Sequence, residues 1–153
     1  NWHMIGHLQR NKVKYIAPFI YLIQSVDSLR LLIEINKQGI KNNRVINVLV
    51  QMDISNDETK FGFSYQEFEE LINKNEIKTL KNICIKGMMG MASFTKDENK
   101  IKDEFNSLHK FYKKHKKILN LEILSMGMSG DFKIAINCNS NLIRLGSSIF
   151  GDR

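Results

Sequence analysis

Short apolar runs alternate with amphipathic stretches along the whole chain, and this alternation constrains the fold more than any other feature. Residues 2–8, 22–26, 45–54, 83–91, 119–126 and 142–149 each read as a buried strand, because near-continuous apolar runs of this length suit strands covered on both faces. Amphipathic segments lie between them. Residues 11–19 carry Val13 and Ile16 on one face, and Asp27 opens a helix through Leu29, Leu32 and Ile33 that Gly39 can end. Ser64 with Glu67 three residues later forms a capping box ahead of Phe68, Leu71 and Ile72. Residues 97–115 repeat that logic with Ile101, Phe105, Leu108 and Tyr112, and 129–137 form a shorter helix. Without hairpin signals between strands, the alternation predicts right-handed βαβ crossovers and a parallel α/β sheet. Doubly wound sheets and (β/α)8 barrels share this signature, and six strands are two short of a closed barrel.

The 153 residues, 42% of them hydrophobic, suffice for one packed domain, so residues 1–153 are read as a single domain. No run is long enough for a membrane span, and the amino-terminal residues lack the layout of a signal peptide. Cys84 and Cys138 lie far apart in apolar segments and read as reduced core thiols, which points to the cytoplasm. The net charge of +7 raises a polyanion partner. However, the densest lysine cluster, Lys110, Lys113, Lys114, Lys116 and Lys117, falls where a helix ends and reads as a solvated face. No nucleic acid and no membrane partner is expected.

In parallel α/β folds, ligands gather at the carboxyl ends of the strands. Three such places carry chemistry. Residues 124–131, Leu-Ser-Met-Gly-Met-Ser-Gly-Asp, lead from a strand into a helix with the hydroxyls of Ser125 and Ser129, where free amides and the helix dipole favour an anion. Residues 143–151 place Arg144 inside an apolar run, followed by Gly146 and Ser147, and a buried arginine is costly unless it pairs or binds something. Together the two segments point to a phosphate site at the last strands. The third place, 53–62, holds Asp53, Asp57, Glu58 and Lys60; its spacing fits no calcium loop and reads as a solvated loop, so no metal site is expected. His3 and His7 alternate on one face of the first strand and could line a cavity.

Several motifs appear in one order along nearly the whole chain: Trp2 to Lys12; Val50 to Ser55 with Lys60 and Gly62; Gly87-Met88-Met89; Leu124 to Asp131; and Arg144 to Gly151. In this the sequence resembles the pyridoxal 5′-phosphate homeostasis protein family (YggS/PROSC type), which is similar to the N-terminal domain of alanine racemase. The resemblance implies a fold-type III (β/α)8 TIM-type barrel that binds pyridoxal 5′-phosphate, here with six of the eight strands. By position, Ser129, Gly146 and Ser147 would hold the phosphate with Ser125 nearby, and Arg144 would face the pyridine nitrogen. A cation there keeps that nitrogen unprotonated and the cofactor a weak electron sink. Asp53 stands where the family usually has Asn, Lys133 where Glu is common, and Asn139-Ser140-Asn141 replaces a glycine-containing turn.

The family's Schiff-base lysine lies at the end of its first strand and a Gly-Glu-Asn-Tyr segment follows the second. Neither is present, which reads as a barrel lacking its first two strands. Lys12 and Lys60 are fallback candidates only, and no catalytic residue is assigned. Six open strands expose edges, so the chain is expected to be marginal unless another chain completes it. The function expected from the resemblance is a non-catalytic carrier or regulator in pyridoxal phosphate homeostasis, with pyridoxal-phosphate-dependent apo-enzymes as partners and the complete chain a monomer or weak dimer. The alternative is a racemase-like enzyme, which would need two opposed proton-transfer groups beside the ring.

Overall fold

The computed structural model describes residues 1–55 and 61–151. Its six strands are β1 (His3–Met4), β2 (Leu22–Val26), β3 (Ile46–Met52), β4 (Ile83–Gly90), β5 (Ile123–Met128) and β6 (Leu142–Arg144). All neighbouring pairs are parallel and the spatial order follows the chain, β1-β2-β3-β4-β5-β6. The crossovers carry helices α1 (Val13–Ile16), α2 (Leu29–Lys41), α3 (Tyr65–Asn73), α4 (Glu98–Leu119) and α5 (Phe132–Asn137), and α6 (Ser147–Phe150) follows β6.

Both faces of the sheet are covered, which is why the strands read as unbroken apolar runs. Ile23, Val48, Val50, Met88, Leu124 and Met126 face the helices and share a core with Leu32, Ile35, Phe68, Phe105 and Leu108. Leu22, Leu49 and Met89 point the other way and pack with Met91, Ile123 and Leu142. That second face is concave. Gln24 on β2 and Ser125 on β5 lie three strands apart, roughly 14 Å in a flat sheet, yet the Ser125 hydroxyl donates to Gln24 Oε1 at 2.7 Å. The sheet therefore curls into an open half-barrel, in keeping with the expected (β/α) barrel class.

Local chemistry sets the element ends. The Ser64–Glu67 capping box forms as expected, with Glu67 N–H donating to Ser64 Oγ at 3.1 Å and Ser64 N–H donating to Glu67 Oε2 at 2.8 Å. Helix α2 is capped by Ser28 rather than Asp27 and runs past Gly39 to Lys41. Gly39 instead allows close packing, since a Cβ there would lie 2.7 Å from the Asn82 carbonyl. Left-handed asparagines follow the helices, Asn43 after α2, Asn75 after α3, Asn120 after α4 and Asn139 after α5, a role asparagine fills because its side chain tolerates positive φ.

Four expected boundaries are corrected. The run at 2–8, expected as a buried strand, yields only the two-residue β1, half-buried and flanked by the exposed Trp2 and Ile5. The run at 142–149 splits, with β6 ending at Arg144 and a helical turn beginning at Ser147. The run at 119–126 begins four residues before its strand, β5 starting at Ile123, because α4 holds Leu119 and Asn120 turns the chain. Residues 11–19 form a 3-10 turn, Arg10–Lys12, and one α-turn rather than a full helix. Among the described residues no helix is long and apolar enough to cross a membrane.

Candidate functional site

β5 and β6 deliver the two candidate anion segments side by side. At the end of β5, Gly127 adopts φ +95°, where a side chain would be strained, and a Cβ would meet Ala135 Cβ at 2.6 Å. This turn brings Met128, Ser129 and Gly130 over the end of β6, held by Met128 N–H donating to Asp131 Oδ1 at 2.6 Å. The half-buried Ser129 hydroxyl oxygen then accepts from the N–H groups of Gly146 (3.1 Å) and Ser148 (3.3 Å). Gly146 and Ser147 are exposed, and a Cβ on Gly146 would meet nothing within 4 Å. A cleft of about 420 Å³ lies here, bounded by Ile5, Met128–Gly130 and Arg144–Ser147. Its size falls within the range of small-ligand pockets.

Arg144 forms the inner wall, with 7% of its surface exposed. Nη1 donates to Ser125 Oγ at 2.7 Å and Nη2 to the Gly90 carbonyl at 3.0 Å, while the buried Nε has no partner. Burial pulls its pKa down to about 10, opposed by the carboxylate of Asp131, so it remains cationic at neutral pH. Of the five expected site residues, Ser129, Arg144, Gly146 and Ser147 meet at this cleft. Ser125 is fully buried behind it, its hydroxyl engaged between Gln24 and Arg144.

Sequence reading missed three polar residues that build this region. Gln24 sits in an apolar run as Arg144 does, and that same signal could have found it. Ser140 Oγ accepts from Met126 N–H at 3.1 Å and lies within hydrogen-bond distance of the Leu124, Met126 and Leu142 carbonyls. Asn141 accepts from Leu124 N–H at 2.7 Å and donates to the Glu122 carbonyl at 2.8 Å. The unusual 139–141 turn therefore fastens β6 to β5.

The other candidates lie apart from the cleft. His3 accepts at Nδ1 from Gln24 Nε2 at 3.1 Å, whereas His7 pairs with Asp27 at 3.2 Å and stacks on Phe61, so the two do not share a cavity wall. Asp53 Oδ1 accepts from Ser55 N–H at 3.2 Å; Asp57, Glu58 and Lys60 lie outside the described residues. No cluster of three or more potential metal ligands occurs among the described residues.

The family model described as "Alanine racemase, N-terminal domain" matches residues 2–153. The chain belongs to that family. Among curated members it is 33% identical to the pyridoxal phosphate homeostasis protein of Pasteurella multocida, over 99% of this chain and 66% of that one. It is 34% identical to the protein of the same name from Aquifex aeolicus, over 99% and 67%. The chain thus spans about two thirds of the length of these relatives, and the expected kinship with pyridoxal phosphate homeostasis proteins is borne out. Among solved structures, PipY of Synechococcus elongatus with pyridoxal phosphate bound superposes with a TM-score of 0.89 at 25% identity, over 99% of this chain and 70% of PipY. Alanine racemase of Clostridium difficile shares the fold of this family member at a TM-score of 0.75 and 17% identity, over 99% of this chain and 39% of the racemase.

Proposed function

We propose that this chain, as one cytoplasmic domain, binds pyridoxal 5′-phosphate in the cleft at the ends of β5 and β6. Its role is that of a non-catalytic carrier or regulator that supplies the compound to apo-enzymes. The observation that carries this reading is Arg144, a buried cation with an unpartnered Nε at the wall of an open cleft. A buried charge is costly until something offsets it. The donor set fits the compound. The amides of Gly146 and Ser148 already gather round one oxygen, that of Ser129, and the open space at Gly146 leaves room for others. Ser129, Gly146 and Ser147 would hold the phosphate, and Arg144 the ring.

When bound, pyridoxal phosphate supplies an electron-withdrawing ring and a reactive aldehyde. With Arg144 facing the ring, its positive charge would disfavour protonation of the ring nitrogen, which suits storage and transfer better than turnover. Support comes from the names of the relatives and from the pyridoxal phosphate bound to PipY. The free thiols Cys84 and Cys138 suit a reducing cytoplasm.

The test is equilibrium dialysis against pyridoxal phosphate, with Arg144→Met and Ser147→Ala variants and inorganic phosphate as competitor. Saturable binding that phosphate competes and both substitutions weaken is expected. Binding indifferent to both substitutions overturns the site, and exchange of the alanine α-proton seen by NMR replaces the carrier with a racemase.

A further inference from the structure

Arg144 is held by a relay that reaches across the concave face of the sheet. Its Nη1 donates to Ser125 Oγ at 2.7 Å, and Ser125 Oγ donates to Gln24 Oε1 at 2.7 Å. A serine hydroxyl has one proton to give. It can accept the arginine's proton without conflict only if its own proton is taken up elsewhere, and Gln24 Oε1 takes it. The amide of Gln24 is in turn oriented by its Nε2, which donates to Nδ1 of His3 at 3.1 Å. That bond requires a bare Nδ1 and therefore the Nε2–H form of a neutral ring, and partial burial of His3, with the nearby amino-terminal charge, favours the neutral ring. Gln24, Ser125 and Arg144 are 1%, 0% and 7% exposed, so water does not substitute easily for any of these bonds.

We infer that Gln24 is a positioning residue for the ring-binding half of the cleft: its side-chain oxygen directs the Ser125 hydroxyl and thereby sets the Arg144 guanidinium. The inference rests on the reading of the cleft as a pyridoxal phosphate site. The cleft divides accordingly. The phosphate half, Ser129, Gly146 and Ser147, is held by the loops at 128–131 and 146–148 and touches neither Gln24 nor Ser125 through any of the bonds described above. The ring half depends on Arg144, whose direction is fixed from β2. Without the acceptor at position 24, the serine proton turns toward the arginine, and the guanidinium loses the contact that fixes Nη1.

The division gives a test with a built-in control. Gln24→Met keeps the length and removes the acceptor, while Gln24→Glu keeps an oxygen at the same reach. Each is titrated with pyridoxal phosphate by equilibrium dialysis and with inorganic phosphate by phosphorus NMR. A lost hydrogen bond to a charged group predicts that Gln24→Met binds pyridoxal phosphate roughly tenfold or more weakly, with phosphate affinity unchanged, and that Gln24→Glu, which keeps the acceptor for Ser125 but not the amide donor to His3, lies between Gln24→Met and the unsubstituted chain. Equal loss toward both ligands marks Gln24 as merely structural and overturns the inference, as does full affinity of Gln24→Met. Failure of the unsubstituted chain to bind pyridoxal phosphate at all overturns the underlying reading and the inference with it.

Discussion

Two glycines three residues apart, Gly127 and Gly130, should respond oppositely to the same added methyl group. Gly127 has φ +95°, and an added Cβ would lie 2.6 Å from Ala135 Cβ and 2.9 Å from Phe132 Cα. The backbone conformation costs a non-glycine residue about 1–2 kcal/mol. Relieving contacts with the first turn of α5, one of them to its main chain, costs about 1–3 kcal/mol more. Gly127→Ala should therefore destabilise by about 2–5 kcal/mol, lowering Tm by roughly 5–15 °C for a chain of this size. Gly130 has no positive φ, and its Cβ would meet nothing within 4 Å. Gly130→Ala should be neutral or stabilising by about 0.4–1 kcal/mol, through the reduced freedom of the unfolded chain. Urea unfolding followed by circular dichroism measures both. Because α5 and the Ser129 loop both adjoin Gly127, pyridoxal phosphate affinity should also fall with the first substitution. Equal unfolding midpoints for the two variants would refute the assignment of Gly127 as the pivot of the cleft.

Two further outcomes test the outer layer. Hydrogen bonds from Lys114 and His115 hold the Glu69 carboxyl below the usual carboxylate range, so its contribution is present above that range and is lost as pH falls through the lowered value. Thermal unfolding across about pH 3–7 should show the native chain above Glu69→Gln near neutrality and the two converging near the acid end, and a constant gap refutes this linkage. Phe105, with no exposed surface in the middle of α4, should cost about 3–5 kcal/mol on truncation to alanine, and a urea-derived loss below about 1 kcal/mol would place it outside the core.

Much of the architecture was legible because both faces of the sheet are covered, and such strands betray themselves as apolar runs bounded by polar turns. The Ser64–Glu67 box was legible because its two hydrogen bonds lie within four residues. What escaped was either degenerate or distant. From Leu142 to Phe150 the chain is nearly uniformly apolar or small, and over nine residues a three-residue strand followed by a helical turn leaves no period to separate them. At Leu119, one apolar residue closes a helix while Leu121 and Ile123 lead into a strand, and only the left-handed Asn120 divides them. Arg144 drew notice as a charge in a buried run, but its partners are the Ser125 hydroxyl and the Gly90 carbonyl, 19 and 54 residues away. No local pattern announces such pairings. The 139–141 turn looked like a loss of glycine, yet its side chains supply the bonds that dock β6.

The sheet order makes most strand contacts local in the chain, since each strand pairs with the one before and the one after. Such a topology can assemble stepwise, each βα unit adding to its predecessor at a modest loop-closure cost, much as stacked repeats do. The bond between Gln24 and Ser125 breaks that rule, for it joins residues 101 apart. Among the described residues it closes the longest ring of any side-chain hydrogen bond, and it needs the intervening units docked and the sheet curled. On the proposed reading, the ring-binding half of the cleft needs the whole arc from β2 to β6 in place, so capture of the ligand would report that this arc has been assembled.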